Sequence, residues 1–294
     1  MKLVIHLNDE TLIESLIKHQ VSGIVVGTKN FSSRGILKLD IEDIKRVVNK
    51  VNRQMEVFVL INQLYLQTQI HELTAFLKKL NEIDIDGILF QDFGVLNICQ
   101  ELNTKFKLIY APDTLNTNHQ TLNTLKHFGV TGAFLARELH LDEVNEIIEN
   151  CELECMVQIH GVQYISHSRR KLLTNYLECI DQKRETGYQE NFVIKVNNKE
   201  EYSHIFEDEF GTHILTQNEL CTLDIPIHCD YGYIETMYMN NEYILFLIES
   251  YQQHLSYEAL VNQYPQKHYD QGFLNDGTVY KIEDVRKREE NEKG

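Results

Sequence analysis

The side chains in this sequence best suited to chemistry recur in one place, directly after short apolar runs. Thr28, Lys29 and Asn30 follow one such run, Asn62 and Gln63 another, then Gln91 and Asp92, Asp113 and Thr114, Arg137 and Glu138, and Gln158 with His160. Together they offer cations for an anionic ligand, amides for directional hydrogen bonds, and carboxylates and a histidine for proton transfer. The familiar hydrolytic motifs are missing: the chain has no H-E-x-x-H, no G-x-S-x-G, and no cysteine beside an evident histidine base.

Each candidate also has a structural reading. Asn30 and Arg34 could contact an anion, although Arg34 could equally pair with a carboxylate on a rim. Gln91 and Asp92 end a run, where Asp92 is either a ligand contact or the cap of a helix starting near Gly94. Thr114 and Asn116 stand beyond the fifth run as candidate substrate contacts. Arg137 and Glu138 are adjacent, so on an extended strand they point to opposite faces and only one can enter an interior. Glu154 and His160 are six residues apart on one strand and share a face if alternation is unbroken. They could coordinate a metal, but a hydrogen-bonded interior pair is the commoner outcome of that spacing.

The elements that must position these groups are legible from the apolar runs: KLVIHL (2–7), GIVVGT (23–28), EVFVLIN (56–62), GILFQD (87–92), KLIYAP (107–112), GAFLAR (132–137) and ECMVQIH (154–160). They are short, continuous and rich in β-branched residues, as strands buried on both faces should be. Between them lie helical periods such as LDIEDIKRVVNKV (39–51), IHELTAFLKKL (70–80) and LDEVNEIIENC (141–151). Strand and helix alternating seven times predict a parallel sheet built by right-handed crossovers, and the count points to a (β/α)8 TIM-like barrel, complete or imperfect. Chemistry in such barrels sits at the C-terminal strand ends, where the polar ring falls.

After residue 161 the repeat stops. A polar stretch and then a β-rich piece, with FGTH (210–213) as a turn, predict a small lid, and GYIETMY (232–238) is the candidate eighth barrel strand. The expected organisation is therefore 1–161 for seven β/α units, 162–222 for the insertion and lid, 223–262 for the closing strand and helix, and 263–294 for a charged tail. Glu235 would project from the closing strand as a pocket carboxylate, and His213, beside the turn, is a candidate substrate contact or an ordinary turn residue.

Composition narrows the partners. The 294 residues carry a formal charge of −16, so the chain by itself is a poor ligand for polyanions; another chain or a local patch must grip any nucleic acid. Two patches exist, Arg169–Arg170–Lys171 and Arg286–Lys287–Arg288, the second in a tail that reads as a solvated end. Six cysteines without C-x-x-C spacing argue against a zinc ribbon or disulfide framework. Cys151 and Cys155 could meet at a metal, but buried or idle thiols are the default. No apolar stretch reaches membrane-span length and no signal-peptide core opens the chain, so a cytoplasmic protein without a membrane partner is expected.

Several strings spread along the chain carry a family resemblance: GTKNFSSRG (27–35), FQDFGVL (90–96), DTLNTNH (113–119), LARELHLDEVNEI (135–147), EDEFGTHI (207–214) and IETMYMNNEYI (234–244). The sequence resembles peptidase family U-32, the collagenase-like family that includes bacterial proteins of tRNA wobble-uridine hydroxylation. That resemblance implies a run of cysteines after Glu154, His160 and Gly161 that ligates an iron–sulfur cluster. Tyr164 and Lys171 stand where the first two would fall, and neither a phenol nor an ammonium replaces a thiolate. The family's Lys-Ile-Glu-Gly-Arg motif reads Tyr233, Ile234, Glu235, Thr236, Met237, keeping the glutamate and losing both cations. The resemblance thus implies a cluster-free subunit, with the iron–sulfur cluster on a cysteine-bearing paralogue, tRNA bound through the complex, and prephenate as the pathway's small acid. Glu235, His160 and Glu154 are the implied pocket groups. A collagenase-like peptidase and a non-catalytic scaffold, the latter suggested by the tyrosines of the C-terminal half, are the alternatives.

Overall fold

The computed structural model describes residues 1–195 and 202–275; the basic patch at 286–288 lies outside them. Each apolar run forms a strand: β1 (Lys2–His6), β2 (Gly23–Thr28), β3 (Lys38–Leu39, a spur on β2), β4 (Glu56–Ile61), β5 (Gly87–Phe90), β6 (Lys107–Tyr110), β7 (Gly132–Phe134) and β8 (Glu154–Ser168). Helices α1 (Ile13–Lys18), α2 (Ile41–Val51), α3 (Ile70–Leu80), α4 (Phe93–Glu101), α5 (His119–Lys126) and α6 (Leu141–Asn150) make the crossovers. Their starts are chemically marked. Asp40 accepts from the N–H groups of Glu42 and Asp43, Asp92 from Gly94, and Asn118 from Thr121, satisfying donors a helix leaves unpaired.

The chain then leaves the barrel. Past the mouth, β8 runs on and pairs antiparallel with β11 (Gly211–Cys221), which pairs with β10 (Tyr202–Asp208) and then β9 (Val193–Lys195); α7 (Leu172–Cys179) packs against this lid. The turn between β10 and β11 falls at Glu209 and Phe210, which places His213 within a strand. β12 (Tyr231–Ile234) then pairs in parallel with both β1 and β8 and closes an eight-stranded ring. This strand is shorter than the sequence suggested: it ends at Ile234, and the Glu235 N–H makes a last bond to the His160 carbonyl of β8. Helices α8 (Asn241–Gln253) and α9 (Tyr257–Gln263) complete the outer layer, and β13 (Tyr269–Asp270) adds to β11.

Alternation along the strands sorts two cores. Val4, Val25, Phe58, Leu89, Ile109, Phe134 and Met156 fill the barrel, whereas Ile5, Ile24, Ile88 and Val157 face the helices, where Ile44, Val47, Leu73 and Leu77 cover them. The filled interior leaves the strand ends as the place for a ligand. No helix among the described residues is long and apolar enough to cross a membrane.

Candidate functional site at the barrel mouth

The groups that converge at the mouth come from five strand ends. His6 ends β1 on the inward face of Val4; Arg34 lies in the loop after β2; Asp113 follows β6, Arg137 follows β7, and Glu235 follows β12. With Tyr164 and Leu215 of the lid as roof and Leu60, Leu89 and Phe134 as floor, they line a chamber. Its empty volume is about 600 Å³ counted to the open mouth.

Two arginines enter this chamber, and their situations differ. Arg34 forks onto Asp113, with Nη1 at 3.2 Å from one oxygen and Nη2 on the other, and its guanidinium stacks 4.2 Å from the Tyr164 ring. Burial works against its charge, but Asp113 and then Tyr164 outweigh burial and raise its pKa. Arg137 donates from Nε to Gln158 Oε1 at 2.7 Å and comes within 4.0 Å of the already engaged Asp113. Here burial prevails, with repulsion from Arg34 added, and the Arg137 pKa is lowered. Arg137 is the chamber's under-compensated cation, placed to hold a carboxylate or phosphate oxygen. The stretch Tyr233–Met237 around Glu235 holds no cation, and Arg34 and Arg137 supply the chamber's positive charge from other strands.

Opposite them sits a carboxylate and histidine pair. Glu235 receives His6 Nδ1 at 3.0 Å, the Tyr233 hydroxyl at 3.1 Å and the Met237 N–H at 3.2 Å. Burial raises the Glu235 carboxyl, but His6 and these donors outweigh it and hold it below the usual carboxylate value. With Nδ1 fixed on Glu235, His6 Nε2 is buried without a protein partner. This is the arrangement by which a carboxylate sets a histidine tautomer and leaves the far nitrogen for a ligand. His6 and Tyr233 were not among the sequence candidates. His6 was findable, since it ends an inward-facing alternation at a strand terminus.

Of the residues singled out in the sequence, Arg34, Asn62, Asp113, Arg137, Gln158, Tyr164 and Glu235 line this chamber. His160 and Glu154 do not. Glu154 lies at the opposite end of the barrel, where Lys107 Nζ approaches it at 2.8 Å. His160 faces outward, fully buried between the hydroxyls of Tyr243 at 3.0 Å and Tyr251 at 3.2 Å and near Glu219. The reason is a bulge: β12 pairs Tyr233 with Gln158 but Ile234 with His160, so Ile159 is an extra residue and the alternation flips. Burial lowers the pKa of His160 despite Glu219, and the pair belongs to the packing of α8.

The other candidates support the frame. Asn30 is exposed and reaches Glu72 at 3.3 Å; Thr114 is exposed; Asn116 is buried and donates to the carbonyls of Tyr110 and Phe134. Asp92 caps α4 and accepts the Tyr65 N–H, while Gln91 donates to the Asn62 carbonyl beside the chamber. His213 bonds Asp208 at 2.8 Å and stacks on His167 within the lid. Cys151 and Cys155 are free thiols close to one another, and the neighbouring Cys155 lowers the pKa of Cys151. No trio of His, Cys, Asp or Glu among the described residues is arranged to hold a metal ion.

A family model for peptidase family U32 matches residues 10–282. The chain belongs to peptidase family U32. Among its U32-like relatives, it is 31% identical over 214 residues to tRNA hydroxylation protein P2 of Bacillus subtilis, spanning 71% of this chain and 69% of that protein. It is 24% identical over 129 residues to tRNA hydroxylation protein P1 of the same organism, across 44% of this chain and 31% of that one. It is also 23% identical over 189 residues to the 23S rRNA 5-hydroxycytidine C2501 synthase of Escherichia coli, across 61% of this chain and 28% of the synthase.

Proposed function

We propose that this U32 chain is a subunit of a cytoplasmic system that hydroxylates the wobble uridine of tRNA, working with a cysteine-bearing family relative that holds the iron–sulfur cluster. The observation that carries the reading is the 31% identity to tRNA hydroxylation protein P2, which spans 71% of the chain. The chamber adds support. Burying Arg137, Arg34 and Glu235 costs free energy that a purely structural barrel mouth would avoid by closing over apolar side chains. In this reading Arg137 holds a carboxylate of the pathway's small acid, prephenate, and His6 Nε2 meets a polar group of the same ligand.

The positions where the family resemblance implies the first two cluster ligands support a cluster-free chain. The Tyr164 ring is occupied by the Arg34 guanidinium, and Lys171 Nζ donates to the Asp208 carbonyl. A thiolate-ligated cluster has nothing to bind there. The collagenase-like alternative lacks a nucleophile: the chamber is lined by no cysteine, and Ser33 Oγ makes no hydrogen bond to a histidine among the described residues.

The test is deletion of the gene followed by mass spectrometry of tRNA nucleosides, with affinity capture of the tagged chain. Loss of wobble hydroxyuridine and a cysteine-bearing U32 protein in the eluate are the expected results. Unchanged tRNA with no captured relative would overturn the reading. Purified anaerobically on its own, the chain is expected to be colourless.

A further inference from the structure

At the end of the barrel opposite the chamber, two thiols that the mouth does not use come together. Cys151 closes α6, its N–H on the Ile147 carbonyl at 2.8 Å, and Cys155 is the second residue of β8, with Glu152, Leu153 and Glu154 between them. The two sulfurs bracket the backbone of Leu153: Cys151 Sγ accepts its N–H at 3.4 Å, and Cys155 Sγ donates to its carbonyl at 3.7 Å. The short connection is also held from outside, by the Cys155 N–H on Asp230 and the Glu152 N–H on Asn123, both at 2.7 Å.

The two sulfurs differ in what can reach them. Cys151 is half-buried beside the exposed Glu152, whereas Cys155 is buried. The neighbouring Cys155 thiol, with the Leu153 N–H adding to it, outweighs burial and brings the Cys151 pKa down to about 7. The thiolate is the nucleophilic form, so Cys151 is reactive at neutral pH. The Cys155 thiol is raised, first by Cys151 and then by burial, and it keeps its proton while Cys151 holds the charge. The other buried thiols are protonated bystanders: burial pushes Cys99 and Cys221 up to about 11 and Cys229 up to about 12, and Cys229 Sγ is turned to the Tyr231 carbonyl at 3.2 Å.

A solvent-reachable thiol with a second, protected thiol beside it is the arrangement in which an oxidised cysteine is resolved as a disulfide. We infer that Cys151 and Cys155 form a site of reversible oxidation by hydroperoxides, in which Cys151 takes the oxidant and Cys155 closes the disulfide. The Cys151 thiolate attacks one peroxide oxygen; the S–O bond forms, the O–O bond breaks, and the departing oxygen takes a proton. Cys151 is now an uncharged sulfenic acid, so the charge that held the proton on Cys155 is gone. Cys155 gives up that proton and attacks Cys151 Sγ; the S–S bond forms, the S–O bond breaks, and the oxygen leaves as water. With hydrogen peroxide the sum is two thiols oxidised to one disulfide and the peroxide reduced to two waters. The inference does not rest on the tRNA reading, because the chamber residues take no part in it.

The experiment treats the reduced full chain with hydrogen peroxide at pH 7, blocks the remaining thiols and maps the tryptic peptides by mass. The fragment 138–169 holds Cys151 and Cys155 and no other cysteine. It is expected to lose two hydrogens, to regain them with dithiothreitol, and to react about tenfold faster than the exposed Cys179, the scale set by a thiolate populated at neutral pH. In Cys155→Ser the disulfide should be absent and a sulfenic acid on Cys151 should be trapped by dimedone. A fragment that stays reduced while Cys179 is oxidised overturns the inference. So does a sulfinic acid on Cys151 of the parent chain without a disulfide, or a disulfide from Cys151 to Cys229 or to a second copy. If Cys155→Ser fails to fold, the parent fragment decides the matter alone.

Discussion

At the residue scale, His6 and His160 show how burial alone fails to mark a functional histidine. Both are almost completely buried, but His160 has hydroxyl partners on both nitrogens, whereas His6 has a carboxylate on one and nothing on the other. Replacing His160 by Ala should therefore act on stability, opening a cavity and taking one partner from each of two tyrosine hydroxyls that also bond Glu219 and the Ile159 carbonyl, and lower the unfolding free energy by about 3 kcal/mol in denaturant titration. Glu235→Gln should act on function. It weakens the charged hydrogen bond that orients His6, a contact of about 2 kcal/mol, and hydroxyuridine in the complemented deletion strain should fall about tenfold or more. Normal hydroxyuridine in that strain would remove the His6 and Glu235 pair from the mechanism. The sequence made Glu235, Arg34 and Arg137 readable because they follow apolar runs at strand ends. It misplaced His160, because counting by twos along a strand assumes a ladder without extra residues, and Glu154, because that residue begins β8 at the end of the barrel opposite the mouth.

The element that breaks the count is the kink in β8. Gly161 sits at φ +98°, and a Cβ there would lie 2.1 Å from the Glu235 carbonyl oxygen, so only glycine admits both the bulge and the close pass of the closing strand. The Gln158 side chain stitches the kink by donating to the carbonyls of Gly161 and Val162, while its oxygen holds Arg137. Gly161→Ala is expected to cost about 3 kcal/mol or more, or to give insoluble protein, as strain at a required positive φ does. The lid has its own fastening. Glu207, 4% exposed, accepts the N–H groups of Leu173 and Thr174 at the start of α7 and the Thr212 hydroxyl. Burial raises this carboxyl, but those donors outweigh it and hold its folded pKa below the ordinary 4.5. A depressed carboxylate contributes stability that is present above its unfolded value and lost as pH falls through the folded one. Glu207→Ala should thus cost about 2 kcal/mol at neutral pH, and the gap to the parent protein should close as the medium is acidified below 4.5. An undiminished gap in strong acid would show that Glu207 acts through packing rather than charge. Neither fastening was visible in the sequence, since each joins residues that only the folded lid brings together.

For the whole molecule, the eight strands were legible because a strand covered on both faces needs a continuous apolar run, and closure followed once β12 supplied the missing edge between β8 and β1. The charge distribution sets how such a barrel can meet RNA. With a formal charge of −16 the chain repels a polyanion at long range, and the lid-tip cations are partly engaged: Arg169 donates to the Leu64 carbonyl and Lys171 to that of Asp208. A complex that holds tRNA through this chain's family therefore needs its phosphate grip from elsewhere. In gel-shift assays the isolated chain should leave tRNA unshifted at physiological salt, whereas the captured complex should shift it. The complex's affinity should fall with salt in a log–log slope of about −0.7 to −0.9 per phosphate contact. If the isolated chain bound tRNA tightly with a steep salt slope, the basic surface would have to lie on this chain, and the division of labour between two subunits would fail at its electrostatic premise.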